Sequence, residues 1–370
     1  MNKTQNDIIT ILNSYLKKDY SFSIDSDIED IYKLSNRFCL SPIVGYTLNK
    51  TEKYRNNVFN NLIYLSNINY EKQQYVRKKL GELLTNENIG YIFLKGSTLA
   101  KYYEEPYLRF SSDIDVIVEK NNYQTVKKLL LKREYKLYQE DTNEMCLIGK
   151  NGVTIDVHCQ FMNENDKIER IFNDVDFSDA NHEMDNNLKY LHIITHAYKH
   201  LTLTYINLQF LVDIYYVRNL DLDWDFINGK LNQIDLKRFN DEVLKVIDVL
   251  FNNKRSNALT NQFIDFLLNA SNHMGIENQI LSQRTKSDTY IIDRAFPSYK
   301  EMCRMYPILE NKKYLLPVCY IRRLVDRIKK GKLSKAISEI NVNMNIDKDK
   351  IEETKELFNK LGIWEDYYLY

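Results

Sequence analysis

Apolar residues recur at helical spacing along most of the chain, and the stretch from Tyr91 to Phe161 departs from that rule. Near the start, Ile8, Ile9, Ile11, Leu12 and Leu16 make one stripe. Ile24, Ile28, Ile31, Leu34 and Phe38 make a second. Between Lys53 and Leu84 the helical period runs through Val58, Leu62, Ile63, Leu65 and Ile68, then Val76, Leu80, Leu83 and Leu84. Asn67 and Asn69 predict a break within it, and Asn86, Asn88 and Gly90 end it. At Tyr91 the pattern changes to a short run of strand formers, Tyr91 to Leu94, stopped by Lys95-Gly96. Ser97 is placed to cap a short helix over Thr98 to Tyr103, and Glu104-Glu105-Pro106 closes it. Asp113 to Val118 alternates acidic and apolar side chains, which puts Asp113 and Asp115 on one face of a strand. An amphipathic helix over Tyr123 to Leu131 follows. Weaker strands are expected at Tyr135 to Gln139 and Met145 to Ile148, then an Asn151-Gly152 hairpin and a strand over Val153 to His158.

Helical periodicity returns beyond Asn163, at Leu188 to Tyr198, Tyr205 to Val217, Asp241 to Phe251 and Gln262 to Leu268. Lys312 to Lys330 is basic, with Arg322, Arg323, Arg327, Lys329 and Lys330, and Lys348 to Leu361 predicts a last helix. The expected fold class is α+β, a small mixed β-sheet with helical regions on either side in sequence. Three parts are expected: a helical region over 1–90, a core over 91–162, and a mainly helical acceptor-binding or accessory region over 163–370.

Composition narrows the class. Fifty-one basic residues balance fifty-one acidic ones, so extended nucleic-acid binding is not indicated. Mean hydropathy is −0.48, and no apolar run approaches the roughly 20 residues that span a bilayer. The first residues lack the apolar core of a signal peptide, so no membrane association and a cytoplasmic location are expected. Five widely spaced cysteines, an odd number, do not form a disulfide framework.

The chemistry concentrates in three carboxylates. Asp156 stands on a hairpin strand that can neighbour Asp113 and Asp115, and adjacent strands lie about 4.8 Å apart. Such a cluster repels itself unless a cation joins it, and Mg²⁺, or Mn²⁺ in its place, suits hard oxygen ligands that are shared with substrate phosphates. Gly96 permits a close backbone approach or a special dihedral, and Ser97 offers a hydroxyl at an expected helix start. Lys95 and Arg109 are further candidates to offset phosphate charge. Together these residues suit in-line attack of an acceptor oxygen on a nucleoside triphosphate, with Asp156 on the acceptor side. His192, His196 and His200 recur every four residues, and three readings follow: packing, substrate contact, or zinc without the Glu of a His-Glu-x-x-His site. Trp224 and Phe226 read as packing residues, since Asp221, Asp223 and Asp225 beside them would repel phosphate.

The segments LKGSTLAKYY, YLRFSSDIDVIV and TIDVH resemble the nucleotidyltransferase superfamily related to DNA polymerase β. More narrowly, the chain is similar to a group of largely uncharacterised bacterial nucleotidyltransferase-like proteins. Members of that group read Leu-Lys-Gly, Tyr, Arg and Asp-x-Asp in order. Here Leu94-Lys95-Gly96, Tyr102 or Tyr103, Arg109 and Asp113-Ile114-Asp115 match. The resemblance implies a nucleotidyltransferase catalytic core over 91–162. It implies Gly96 and Ser97 for the nucleotide, and Asp113, Asp115 and Asp156 for Mg²⁺. The implied reaction moves a nucleoside monophosphate from an NTP to a small-molecule, peptide or macromolecular acceptor. Two other readings stand beside it: a non-catalytic nucleotide-binding regulator or antitoxin-like scaffold, and a toxin-like enzyme that nucleotidylates RNA or protein. The stretch from Ser97 to Asp113 is longer than in compact members of the superfamily.

Overall fold

The computed structural model describes residues 1–162, 166–178, 182–203, 208–270, 280, 281, 284, 292, 295–329 and 340–363. The chain divides into two compact units, one of 1–197 with 206–272 and one of 198–205 with 273–370.

In the first unit, α1 (Lys3–Lys17) opens with a reciprocal cap. The Asn2 side chain accepts from the Gln5 backbone, and the Gln5 side chain accepts from the Asn2 backbone. The second stripe becomes α2 (Ile28–Arg37), which starts later than Ile24. The Asp7 carboxylate accepts from the amides of Asp25 and Ser26 and holds that connection out of the helix. A helix not foreseen from the pattern, α3 (Ser41–Asn49), packs on α4 (Asn57–Asn86). A Cβ on Gly45 of α3 would lie 2.7 Å from Phe59 Cδ1. Gly45→Ala is therefore expected to destabilise the fold by about 1–3 kcal/mol through overpacking. A denaturation midpoint shifted to lower urea at unchanged slope would show it.

The expected break at Asn67 and Asn69 does not occur, because α4 is one continuous helix of 30 residues. The polar positions have another purpose. Ser66, Asn69 and Gln73 lie near one face, and their side chains donate to the carbonyls of Tyr107, Ser111 and Ser111 respectively. They bind a neighbouring chain segment instead of interrupting the helix.

The sheet contains β1 (Tyr91–Phe93), β2 (Asp113–Val118), β3 (Lys136–Glu140), β4 (Glu144–Ile148) and β5 (Thr154–His158). Their order is β1-β2-β5-β4-β3, with β2 and β5 parallel and every other pair antiparallel. The α+β class and the mixed sheet agree with the sequence pattern. In the β4–β5 turn, Gly152 adopts φ +80°, and the Asn151 carboxamide accepts from the Val153 amide. One face of the sheet is apolar. Tyr91, Phe93, Ile114, Val116, Val118, Met145, Leu147, Ile155 and Val157 pack there with Val76, Leu80, Leu83 and Leu84 of α4. Val126 and Leu130 of α6 (Tyr123–Lys132) complete this core. Period-two geometry then directs Asp113, Asp115 and Asp156 to the other face.

The rest of the unit is helical: α7 (Asp166–Glu169), α8 (Asn186–Leu203), α9 (Gln209–Val217), α10 (Trp224–Gln233), α11 (Lys237–Phe251) and α12 (Ala258–Ala270). The last residues of α8, from Tyr198, belong to the second unit. Residues 204–207 at the expected start of α9 lie outside the described residues. Asp223 caps α10 by accepting from the Phe226 amide, and Trp224 packs edge-on against Tyr190.

In the second unit, α13 (Tyr299–Met305), α14 (Ile308–Asn311) and α15 (Leu316–Lys329) surround Met302, Leu309 and Cys319. α16 (Lys348–Leu361) ends in a left-handed Gly362. On the basic segment, Arg323 is buried and donates to the Ala295 carbonyl, so it does not join Arg322 on an open basic face. Lys330 and the side chains of Arg327 and Lys329 lie outside the described residues. All five cysteines are free thiols. Among the described residues no helix is long and apolar enough to cross a membrane.

Candidate active site

The chain leaves β1 with the Leu94 amide donating to the Asp115 carbonyl at 3.0 Å, which lays the next residues against β2. Lys95 then adopts φ 46°, ψ −118°. A side chain in that region is strained, by an amount on the order of 1–3 kcal/mol. Its carbonyl receives the amides of Thr98 and Leu99 and the Thr98 hydroxyl. These bonds start α5 (Gly96–Leu99) two residues earlier than expected, and a 3₁₀ turn over Ala100–Tyr102 follows it. Lys95, not Ser97, stands at the cap position. Ser97 lies inside the helix, and its side chain is outside what the structure describes. Gly96 is needed for close approach. A Cβ there would sit 2.4 Å from Ser111 Oγ and 2.8 Å from Arg109 Nη1.

The parallel pairing of β2 with β5 sets Asp115 directly opposite Asp156, and Asp113 opposite Thr154. All three carboxylates therefore share a sheet face. The antiparallel β4 adds Cys146 opposite Asp156 and Glu144 opposite His158. Asp115 is buried at 5% exposure. Its Oδ1 accepts from Lys95 Nζ at 2.7 Å and lies 3.1 Å from His158 Nε2. His158 Nδ1 in turn lies 3.6 Å from Glu144 Oε2. Pattern reading passed over His158 and Glu144 as members of the site. His158 was within reach, since it is two residues after Asp156 on the same strand and so faces the same way. Glu144 depended on hairpin register.

The three acids differ in their charge environment. Burial raises the pKa of Asp115, but Lys95 and His158 outweigh it and hold the carboxyl well below the usual range. Burial works against the charge on Lys95 as well, yet Asp115, Asp113 and Glu144 leave its pKa raised. Asp113 is pushed up to about 6, first by burial and then by the nearby Asp115. Asp156 is raised too, by burial and by Asp115, and its Oδ1 is buried without a hydrogen-bond partner. The Cys146 thiol, opposite on β4, works the other way and partly lowers the Asp156 pKa. Among the described residues, no three His, Cys, Asp or Glu side chains are arranged as a metal's ligand set. Asp115 Oδ1 is already engaged by Lys95 and His158.

A pH effect follows from Asp113. Between about pH 4 and pH 6 the folded chain keeps a proton there that the unfolded chain has lost, so this group makes stability fall as pH rises through that window. Asp113→Asn is expected to relieve this, by up to about 3 kcal/mol at neutral pH and by little at pH 4. Thermal melts of both proteins at the two pH values check it. Asp115 has the opposite sign: its contribution is lost progressively as pH falls from the ordinary carboxylate value to its depressed folded value.

Arg109 is not a free base. Its Nε and Nη2 donate to Asp213 at 2.9 and 2.8 Å, and Tyr103 donates its hydroxyl to the same carboxylate at 2.7 Å. His192 is buried in edge contact with Phe161 and Phe172, and its ring centroid lies 6.0 Å from that of His196. His200 falls in the second unit.

A family model described as an uncharacterised nucleotidyltransferase matches residues 25–252, more than half of the chain. No curated protein matches it. The matched interval contains the whole sheet, Lys95, Gly96, Arg109, the three aspartates, His158 and Asp213.

Proposed function

Because the chain belongs to this family of uncharacterised nucleotidyltransferases, we propose that it transfers a nucleoside monophosphate from an NTP to an acceptor hydroxyl and releases pyrophosphate. The observation that carries the reading is the in-register pair Asp115–Asp156, with Asp113 on the same face and Asp156 Oδ1 buried without a partner. The donor set is all hard oxygen, which fits Mg²⁺ or Mn²⁺. Asp113, Asp115 and Asp156 are the residues that would hold the ion. When bound, it supplies charge neutralisation at the phosphates and at the acceptor oxygen.

The remaining roles belong to the chain. Lys95 keeps Asp115 ionised through its 2.7 Å contact. Asp156, level with Asp115 on the neighbouring strand, is the group suited to take the acceptor's proton. Gly96 and Ser97 offer backbone to the phosphates, because no Cβ at 96 stands in the way. The helices of the first unit beyond residue 163 would form the acceptor wall.

The test is pyrophosphate release by purified protein with Mg²⁺ and each NTP. Labelled nucleotide would be followed into small-molecule, peptide, protein and RNA fractions. Label in any fraction, dependent on metal, supports the transfer. Label in RNA or protein selects the toxin-like form. Nucleotide binding without turnover in every fraction would replace the reading with a nucleotide-binding regulator.

A further inference from the structure

We propose that Asp213 is a positioning residue for the nucleotide-binding loop and acts on it through Arg109. The proposal rests on the nucleotidyltransferase reading for what the loop holds. It does not rest on that reading for how the loop is held.

The loop at Gly96 is packed against the segment 107–111, which leads directly into Asp113 of β2. Ser111 Oγ donates to the Asp113 carbonyl at 2.9 Å, and both Ser111 and Arg109 crowd the space where a Cβ on Gly96 would go. Whatever places this segment therefore places both the phosphate side and the first carboxylate. Two helices hold it. Ser66, Asn69 and Gln73 of α4 bind its carbonyls, as described above. On α9, Gln209 donates to the Phe110 carbonyl at 2.9 Å, and Asp213, one turn later, takes the Arg109 guanidinium in a two-pronged pair.

The chemistry of that pair points to orientation. Asp213 and Arg109 have side chains only 6% and 9% exposed, so neither gains much from solvent. A two-pronged contact fixes the plane of the guanidinium, and the Tyr103 hydroxyl fixes the carboxylate that receives it. Two of the three guanidinium nitrogens are thereby committed, and the third, Nη1, is the one that borders Gly96. A bound phosphate chain at Gly96 would meet a donor whose direction Asp213 has already set. Preset donors of this kind lower the ordering cost of binding.

The experiment compares Asp213→Asn with Asp248→Asn. Asp248 pairs with Arg218 at 3.0 Å, also from the α9 end, and its other side-chain partners are Asn252 and Lys254. Amide hydrogen exchange and steady-state kinetics are measured on both. With Asp213→Asn, amides at Lys95 to Leu99 and Ser111 to Asp113 are expected to exchange about tenfold faster. KM for NTP is expected to rise about tenfold, with a smaller change in kcat. Asp248→Asn should lower Tm and leave those amides and KM unchanged. Tyr103→Phe, which deletes one hydroxyl, should give the same pattern at smaller size and serves if Asp213→Asn does not fold. Unchanged exchange at those amides in a folded Asp213→Asn or Tyr103→Phe overturns the proposal. If the wild type binds no NTP, the nucleotidyltransferase reading fails, and the exchange result still decides whether Asp213 positions the loop.

Discussion

Asp115→Asn is expected to lower metal-dependent NTP turnover by about a thousandfold, the range seen when a preset electrostatic partner of the reacting groups is lost. Asp115 is the most buried of the three acids and the most firmly ionised, because Lys95 and His158 converge on one of its oxygens. Asparagine keeps the shape and removes the charge that both groups answer. A stability loss should accompany it, since Lys95 loses its partner. Breaking a fully buried pair costs roughly 3–5 kcal/mol. The Lys95 side chain is 23% exposed, so about 1–3 kcal/mol is the expected scale. Turnover and thermal unfolding measured on the same preparation separate the two effects. A folded variant with turnover within tenfold of wild type would remove Asp115 from the proposed chemistry.

Gly96→Ala is expected to weaken NTP binding by about a hundredfold, because the loop must move to admit a methyl group. The nearest atoms would be 2.4 and 2.8 Å away, on Ser111 and Arg109. Neither can retreat freely. Ser111 is bonded to Asp113, and Arg109 is held by Asp213. Lys95, just before, already occupies an uncommon backbone conformation that leaves little room for adjustment. Gly45→Ala is the matching control, with a similar steric conflict against Phe59 and no expected effect on affinity. Calorimetric titration with a non-hydrolysable NTP distinguishes them. Equal affinity in Gly96→Ala and wild type would mean that the loop does not carry the phosphates.

Much of the fold was legible because its elements are locally determined. The strand at Tyr91 is a short run of strand formers, those at Asp113 and Thr154 carry their own alternation, and the helices α1, α11 and α16 carry their own stripes. Errors occurred where polar residues serve partners far along the chain. Asn69 looked like a helix break and instead holds Ser111. Asp7 delays α2 from another helix. The cap at Ser97 differs for a local reason, since the Lys95 carbonyl takes the first helical bonds from Thr98 and Leu99. A side chain's bonding partner, when it is 18 to 42 residues away, leaves no periodic trace.

The amino-acid order by itself determined that Asp113 and Asp115 share a face, since a strand's period of two requires it. It also placed Gly96 after a strand and marked the chain's likeness to nucleotidyltransferases. Only the tertiary structure decided that β5 runs parallel beside β2, with Asp156 level with Asp115. That pairing depends on how two distant strands meet, not on either one alone. The same holds for Lys95 and His158 on Asp115, for Glu144 beside His158, and for Asp213 reaching Arg109 across 104 residues. Local sequence sets which way a side chain points, and the packing of remote segments sets what it meets there.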